Sequence, residues 1–422
     1  MRILVLSNKC PPDYDGGYEL SAFQVAGALR QRGYDVQLLT SEYRPTYKGP
    51  RDTDPAWVHR IFHYEEWPNL TKQGLARFSE DANRVALLTQ VGVENAGKLN
   101  LYLGKSEVDL AYCFGLHGIG LATASPLDQK KIPILWHAGN YLIAQDLQLK
   151  AMFGRRRAAH RYAMHFKSKG AKQMIMNGDY SHIAFLSESM KTEFVKMGYE
   201  PAHSYIIPRG IDFPLSKDTT ERDKTFLMAS RIGPEKGYDV VLDACEILAK
   251  SHSEAWALKI AGSGTPDYLE KLKSKAKSLG ISDQVQFLGM LKREEVLDEM
   301  RRAYAFISAS LWEEPFGRTN IESLACGAAL IAADTGAIKE IVGDSGCARI
   351  YDKHDSRALA KIMRDLLQNP SERNELAARG IARIEQAYTI GRILDLTEDV
   401  FGKVMGDYGK QFMKPKQSGG AV

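Results

Sequence analysis

The chain contains 422 residues, of which 44% are hydrophobic and 26% are charged, and this balance argues against a disordered or fibrous body. Its length exceeds what one ordinary hydrophobic core accommodates, so we expect two domains. A formal net charge of +4 is too small over this length to indicate a nucleic-acid partner.

The N-terminal half alternates short apolar runs with helical or polar stretches. A turn-rich segment over residues 11–17 separates the first strand from a helix over residues 18–32, which Gly33 ends. The expected strands cover residues 3–6, 36–39, 110–114, 132–136, 183–186 and 205–207. This alternation is typical of parallel β/α units.

A second series of the same kind follows Arg209 and Gly210, with helices over residues 239–250 and 294–302. Its expected strands cover residues 226–229, 258–261, 285–288, 305–307 and 330–332. The repetition predicts an α/β chain of two doubly wound, Rossmann-like domains that face each other across a cleft. In such sheets ligands bind outside the carboxyl ends of the strands, so the loops there are candidates for the functional site.

The C-terminal part reads as helices over residues 371–405, broken around Tyr388 and Thr389. The last residues are rich in Lys, Gly and Ser and predict a disordered tail. The predicted domains are therefore residues 1–210 and 211–385, followed by a helix over 386–408 and the tail over 409–422.

The cysteines lie far apart and form no C-x-x-C pair. This spacing predicts buried free thiols in a reducing compartment. The apolar run at residues 3–6 is too short for a signal peptide or a membrane span. We therefore expect a cytoplasmic protein in which the glycosylation sequon at Asn69 is unused.

The strongest motif runs from Trp312 to Gly327. Pro315 and Gly317 predict a turn, followed by a helix over residues 321–326. Thr319 or Asn320 can cap this helix. The free backbone N–H groups at such a helix start suit an anion such as a diphosphate.

Two glutamates of this motif carry the chemical interpretation. Glu314 is expected in the loop before the helix and Glu322 in its first turn. A carboxylate has two accepting oxygens, so it can bind two vicinal sugar hydroxyls. The alternative interpretation is that both glutamates only complement the positive end of a helix.

A second motif follows the strand that ends at Ala229. It contains Arg231 and Lys236 and precedes the helix over residues 239–250. Fixed cations aimed at a departing diphosphate lower the reaction barrier, so both are candidate leaving-group stabilisers. Two ordinary surface cations are the alternative.

Glycines and a histidine mark three further strand ends. Gly262 lies in a G-x-G loop, which alone is weak evidence for a phosphate site. Gly16 and Gly17 permit a substrate to approach the first helix closely. His137 is expected directly after an apolar strand, either reaching a sugar in the cleft or serving as a structural residue.

In the order in which these motifs occur, the sequence resembles the large family 4 of retaining glycosyltransferases of the GT-B fold, typified by sucrose synthase-like and bacterial lipopolysaccharide or mannosyl transferases. The resemblance covers nearly the whole chain. It implies an N-terminal acceptor domain, a C-terminal sugar-nucleotide domain and a final helix that crosses back to the N-terminal domain.

The resemblance also implies a role for each residue. Arg231 and Lys236 would bind the diphosphate, Glu322 the ribose, and His137 the transferred sugar. Glu314, with the backbone of Phe316 and Gly317, would bind the same sugar. The remaining donor-binding candidates are Gly16, Gly17, Gly262, Leu291 and Thr319. The sequence departs from the family at Arg209, where asparagine is usual, and at Ser230, where glycine is common.

The implied reaction is a same-face displacement, in which the departing phosphate oxygen helps to deprotonate the acceptor hydroxyl. No cofactor or metal is expected beyond a UDP- or GDP-sugar as co-substrate. Asp52, Thr53 and Asp54 spell a D-x-D pattern, but we interpret them as a solvated loop and expect EDTA to leave activity largely unchanged.

The expected partners are the nucleotide sugar and a sugar, lipid-linked or small-molecule acceptor. A basic stretch over residues 150–172 is interleaved with aromatic and Met residues. If helical, it could contact an anionic membrane from the cytoplasmic side or bind a phosphorylated acceptor; a solvated basic helix is the alternative.

Two other functions fit parts of the pattern. A sugar-nucleotide 2-epimerase would bind the donor similarly but release an epimerised sugar nucleotide without transfer. A catalytically idle binding protein would not hydrolyse a donor even slowly. A nicotinamide dehydrogenase is disfavoured, because neither half has G-x-G-x-x-G after its first strand.

Overall fold

The computed structural model describes residues 1–14, 17–43, 54–65, 82–139, 178–198, 200–216 and 222–413, with the backbone alone for residues 82–89 and 121. The chain forms two compact units. Unit 1 comprises Met1–Leu186, Lys191–Ile207 and Leu394–Val422, and unit 2 comprises Ser187–Met190 and Pro208–Ile393.

Unit 1 is built on a parallel sheet with the order β3-β2-β1-β4-β5-β6-β7 in the described residues. The strands are β1 (Arg2–Leu6), β2 (Asp35–Ser41), β3 (Val58–Phe62), β4 (Leu110–Phe114), β5 (Ile134–Ala138), β6 (His182–Phe185) and β7 (His203–Ile206). The central strands β4 and β5 are buried along their whole length. Burial of both faces explains why all their residues except His137 are apolar.

In the described residues, helices lie between β1 and β2, β3 and β4, β4 and β5, and β6 and β7. They are α1 (Gly17–Gln31), α2 (Ala82–Leu103), α3 (Ser125–Gln129) and α4 (Glu188–Lys196). The first three residues of α4 belong to unit 2 and the rest to unit 1. The sheet order reverses direction between β1 and β4, which creates a topological switch point at their carboxyl ends.

Unit 2 has a parallel sheet with the order β10-β9-β8-β11-β12-β13. Its strands are β8 (Asp223–Ala229), β9 (Ala257–Ala261), β10 (Val285–Gly289), β11 (Ala303–Ser308), β12 (Ala329–Ala333) and β13 (Ala348–Tyr351). Its helices are α5 (Tyr238–Ser251), α6 (Pro266–Ser278), α7 (Arg293–Arg302), α8 (Arg318–Ala325), α9 (Ile338–Val342), α10 (Ser356–Gln368) and α11 (Pro370–Ala387). Two parallel α/β domains confirm the predicted fold class.

A buried arginine fastens α11 to this sheet. Arg373 is 1% exposed, and it donates to the carbonyl oxygens of Tyr304 at 2.8 Å and Gly327 at 2.9 Å. Burial, followed by the positive charge of Arg222, lowers the pKa of Arg373 to about 10. The guanidinium therefore stays charged at neutral pH while satisfying two carbonyl groups.

The final helix, α12 (Ile390–Asp407), begins after the expected break at Tyr388 and Thr389. The break is held by Ile211, whose N–H donates to Tyr388 O at 2.7 Å and whose carbonyl accepts from Ile390 N at 2.8 Å. Residues 390–393 of α12 belong to unit 2, whereas residues from Leu394 onward belong to unit 1.

Within the described residues, the sequence prediction missed two strands, and two of its misplaced boundaries affect the candidate site. Edge strands β3 and β13 are only partly buried, so polar residues interrupt their apolar runs. His137 lies inside β5 rather than after it. Helix α8 begins at Arg318, so Glu322 is its fifth residue and not part of the first turn.

The structure confirms that the cysteines are buried free thiols. Burial raises the pKa of Cys10 to about 12, against the opposing charge of Arg60. None of the helices in the part of the chain that the structure describes is long and apolar enough to cross a membrane.

Candidate functional site

The loops at the carboxyl ends of β8 to β11 are hydrogen-bonded to one another through their backbones. The bonds run from Ser230 N to Ala261 O (3.1 Å), Ile232 N to Ser263 O (2.7 Å), Gly262 N to Gly289 O (2.8 Å) and Leu311 N to Glu235 O (2.8 Å). Residues far apart in sequence are therefore fixed along one edge of the unit 2 sheet, where ligands bind in this architecture.

Two glycines make this close packing of loops possible. Gly237 has a φ of 71°, and a Cβ there would lie 1.9 Å from Ala309 O. Gly262 has a φ of 143°, and its Cβ would lie 1.9 Å from Ser230 O. The carbonyl groups occupy the space of a side chain, so Gly262 serves the packing of the loop in this structure.

Lys236 and Glu314 form an ion pair at this edge, with Nζ and Oε2 2.5 Å apart. The same Oε2 accepts hydrogen bonds from Trp312 Nε1 at 2.9 Å and Ser310 Oγ at 3.3 Å. The ammonium also lies 5.4 Å from the Trp312 ring centroid. The side chains of Lys236 and Glu314 are 17% and 25% exposed, so the pair is oriented yet accessible to a ligand.

The backbone of Glu314 is held in place by the loop after β12. Its carbonyl accepts from Ala337 N at 3.2 Å. Gly336 has a φ of 53°, and a Cβ there would lie 2.1 Å from Glu314 O. Gly336 N also donates to Glu313 Oε2 at 2.7 Å. The backbone around Glu314 is therefore fixed by contacts to its own carbonyl and to the side chain of Glu313.

Glu322 is buried on α8, with 8% of its side chain exposed. It accepts from Arg318 Nε at 2.8 Å, and Arg293 Nη2 lies 3.5 Å away. Arg293 also bridges to Asp212 at 2.7 Å. Burial alone would lower the pKa of Arg293, but Asp212 and Glu322 raise it. The carboxylate is thus presented within a charged network.

The start of α8 follows a buried turn. Phe316 is 3% exposed, and its ring lies 5.7 Å from that of Tyr388. Gly317 is the N-cap with a φ of 79°, without a side-chain cap bond. Thr319 is half-buried inside the helix and does not act as the cap. Ser187 Oγ donates to Pro315 O at 2.7 Å, which fixes the turn from the other side.

Arg231 and Leu291 lie at the same edge of the sheet, but neither takes part in the ion pair of Lys236 and Glu314. The Arg231 side chain is 70% exposed and pairs with Glu235. Leu291 is half-buried in the loop between β10 and α7. The structure brings Lys236, Glu314 and Trp312 into contact, whereas Arg231 has Glu235 as its described carboxylate partner.

In unit 1, His137 is 4% exposed within β5. Its Nδ1 lies 2.5 Å from the Tyr112 hydroxyl, and its ring stacks on Phe114 at 4.8 Å. Tyr18 donates to the carbonyl of His137 and accepts from Gly115 N. The imidazole is therefore held in one orientation. Gly17 begins α1, and Gly16 lies outside the described residues.

The prediction from sequence missed several contacts of the candidate site residues. Trp312 and Arg318 stand inside the recognised motif, so their proximity to Glu314 and Glu322 could have been anticipated. Arg293 and Tyr18 carry no local signal, because their partners are distant in sequence. Of the D-x-D pattern, Asp54 binds Arg60 at 2.7 Å, while Asp52, Thr53 and the basic residues 150–172 lie outside the described residues.

Comparisons with known proteins match both halves of the chain. The family model of the glycosyl transferases group 1 matches residues 214–383, and that of Glycosyltransferase Family 4 matches residues 15–213. Mannosylfructose-phosphate synthase of Agrobacterium fabrum is 24% identical over 409 residues, covering 89% of this chain and 83% of that protein.

Solved structures with the same fold cover almost the whole chain. Sucrose-phosphate synthase from Thermosynechococcus elongatus aligns over 96% of this chain and 99% of its own, with a TM-score of 0.69 and 15% identity. HepE from Anabaena, solved in complex with UDP-glucose, aligns over 95% and 99%, with a TM-score of 0.64 and 18% identity.

Proposed function

The chain belongs to the group 1 glycosyltransferases of family 4, with the GT-B fold, and on that premise we propose that it is a retaining glycosyltransferase. It transfers a sugar from a nucleotide-diphosphate sugar to a hydroxyl acceptor, without a metal ion. The acceptor is a sugar, a lipid-linked or a small molecule. The enzyme works in the cytoplasm, and residues 150–172 are either a contact with an anionic membrane or a solvated basic segment.

The observation that carries the proposal is the ion pair between Lys236 and Glu314. A 2.5 Å pair at the carboxyl ends of β8 and β11 places a cation and a carboxylate within reach of one ligand. The cation matches a diphosphate, and the carboxylate matches the hydroxyls of the attached sugar. A nucleotide sugar contains both groups in adjacent positions.

Lys236 and Arg231 stabilise the leaving nucleotide diphosphate. Negative charge accumulates on the phosphate oxygens as the glycosidic bond breaks and the anomeric carbon becomes oxocarbenium-like. A fixed ammonium lowers the energy of that transition state without reorganisation. Arg231 is 70% exposed, and we propose that its guanidinium turns from Glu235 to the diphosphate when the donor binds.

Glu322 binds the ribose hydroxyls of the donor. Arg318 and Arg293 hold its carboxylate in place, and the turn at Phe316 and Gly317 offers backbone groups to the phosphate and sugar. Gly262, Leu291 and Thr319 complete the nucleotide side. The UDP-glucose complex of HepE supports a UDP-sugar as donor, with a GDP-sugar as the other candidate.

The proposed mechanism transfers the sugar with retention on one face. The bond between the anomeric carbon and the phosphate oxygen breaks, and the acceptor oxygen bonds to the anomeric carbon on the same face. The departing phosphate oxygen accepts the proton of the acceptor hydroxyl in this step. His137 contacts the transferred sugar; this role rests on the family resemblance, and Tyr112 orients its ring. No side chain is assigned as a covalent nucleophile.

Two matched pairs of variants test the leaving-group assignment. Lys236→Ala is compared with Lys224→Ala, an exposed lysine at the opposite end of β8 that pairs with Glu254. Arg231→Ala is compared with Arg302→Ala, an exposed arginine that pairs with Glu299. We expect Lys236→Ala and Arg231→Ala each to lower kcat by about 10²- to 10³-fold, with the controls unchanged.

Near-normal turnover of both site variants would contradict the phosphate assignment. The reaction itself is read out by NMR of the product, in which the anomeric configuration of the donor should be retained. Release of an epimerised sugar nucleotide without transfer would show a 2-epimerase instead. Absence of both transfer and donor hydrolysis would show a binding protein.

A further inference from the structure

A cluster of two histidines and an aspartate lies at one edge of unit 1. His182 and His203 begin β6 and β7 and are register partners, and Asp407 is the last residue of α12. Nε2 of each histidine lies 3.5 Å from Oδ2 of Asp407. The imidazole rings are stacked 4.6 Å apart at 10°.

These separations fit a shared metal ligand set. In a tetrahedral zinc site with bonds of about 2.0–2.2 Å, neighbouring ligand atoms lie about 3.3–3.6 Å apart. Both nitrogen-to-oxygen distances are in that range, and one ligand atom from each residue lies within 4.8 Å of the others. A metal ion lies in the plane of each imidazole that binds it, so one of the two stacked rings must turn before both bind the same ion. His203 and Asp407 are each 48% exposed, so their side chains have room to turn towards an ion held by His182.

The surroundings of His182 match those of a ligating imidazole. His182 is 2% exposed, and its other nitrogen, Nδ1, lies 3.0 Å from the Tyr205 hydroxyl. In metal-binding histidines, a hydrogen bond made by the nitrogen that does not bind the metal fixes the tautomer and the ring orientation.

We propose that His182, His203 and Asp407 form a Zn²⁺ site, with a fourth position open to water. Two imidazoles and a carboxylate are ligands that Zn²⁺ accepts. The site lies at the amino-terminal ends of β6 and β7, whereas ligands in such sheets bind at the carboxyl ends. Its role is structural: the ion fastens the end of α12 to two strands of the same unit.

The test uses the tag-free full-length protein after removal of metals. Zn²⁺ is titrated against a competing chelator, and Co²⁺ is titrated while its visible absorption is recorded. We expect one site per chain that His203→Ala and Asp407→Asn abolish or weaken by at least about tenfold. His354→Ala, which removes an exposed histidine of unit 2, should leave it intact.

Tyr205→Phe tests the positioning of His182, because it removes the hydroxyl and keeps the ring. We expect its Zn²⁺ affinity to fall about tenfold. Zn²⁺ should also raise the Tm of the unaltered protein and of His354→Ala, but not that of His203→Ala. Equal Zn²⁺ affinity and equal Tm shifts in His203→Ala and His354→Ala would overturn the proposal and assign the ion to other residues.

Discussion

At the scale of single residues, the site separates into a sugar side and a nucleotide side. Glu314 pairs with Lys236 and accepts from Trp312, whereas Glu322 pairs with Arg318 and Arg293. The two carboxylates therefore belong to different networks of unit 2. Substitutions that keep the side-chain shape but remove the charge should affect different kinetic constants.

Glu314→Gln should lower kcat while leaving the affinity for free UDP or GDP nearly unchanged. The carboxylate is proposed to act on the transferred sugar, which the free nucleotide lacks, whereas Lys236 remains to bind the diphosphate. We expect a loss of about 10²-fold in kcat. Steady-state kinetics and isothermal titration with the nucleotide measure both quantities. A nucleotide Kd weakened as strongly as kcat would place Glu314 on the nucleotide side.

Glu322→Gln should show the opposite pattern. A charged hydrogen bond to ribose contributes about 1.5–3 kcal/mol, so its loss weakens nucleotide binding by about 10- to 100-fold. Turnover at saturating donor should change less than affinity. Because Arg318 and Arg293 lose a carboxylate partner, circular dichroism melts are needed to confirm that the variant is folded at the assay temperature. Unchanged nucleotide affinity in a folded variant would contradict the ribose assignment.

At the scale of elements, the site depends on loops that approach one another through glycine. Gly336 lets the loop after β12 contact the backbone of Glu314, since a Cβ there would lie 2.1 Å from the carbonyl oxygen. A neighbour that is backbone cannot rotate away as a flexible side chain could. The position of Glu314 is therefore coupled to β12 as well as to β11.

Gly336→Ala should destabilise unit 2 and lower activity together. The matched control is Gly280→Ala, which has a similar positive φ of 70° but nothing within 4 Å of the added Cβ. Gly280→Ala should cost about 1–2 kcal/mol from the left-handed backbone alone. Gly336→Ala should cost about 1–3 kcal/mol more from the steric conflict. Equal destabilisation in chemical denaturation, with equal activity, would show that the loop contact is unimportant.

The sequence predicted elements well where burial makes the pattern simple. Strands β4 and β5 are buried on both faces, and all their residues except His137 are apolar. Edge strands β3 and β13 were missed, since exposed positions interrupt their apolar runs. The sequence predicted that α8 begins at residue 321, three residues after its observed start at Arg318. The start was missed because Gly317 caps the helix through its backbone conformation rather than with a Ser, Thr, Asn or Asp side chain.

The candidate site was predictable to the extent that its residues lie in short motifs. Glu314, Glu322 and Lys236 follow strands and could be singled out from sequence. Their partners Arg293 and Gly336 could not, because these are set by the order of strands in the sheet. The same limit applies to His182 and His203, which are 21 positions apart and become neighbours only through parallel pairing of β6 with β7.

At the scale of the whole molecule, ligand binding should be visible as stabilisation of the unit that holds the nucleotide. A ligand that binds only the folded protein adds about 2.7 kcal/mol at 100 times its Kd. Among UDP, GDP and ADP and their sugars, the cognate base should give the largest Tm shift. Uridine or guanosine should give less than its diphosphate, because it has no charge to meet Lys236. Equal shifts for nucleoside and diphosphate would contradict the assignment of Lys236.

Catalysis should not depend on a divalent ion, because Lys236 and Arg231 are proposed to neutralise the diphosphate. In metal-dependent transferases that charge is met by an ion instead. Turnover in EDTA should stay within about twofold of that in Mg²⁺ or Mn²⁺. The assay is run well below the Tm and repeated with His203→Ala, so that loss of a structural ion from His182, His203 and Asp407 is not mistaken for a catalytic effect. If EDTA lowers turnover in both proteins and Mg²⁺ or Mn²⁺ restores it, an ion rather than Lys236 and Arg231 neutralises the leaving diphosphate.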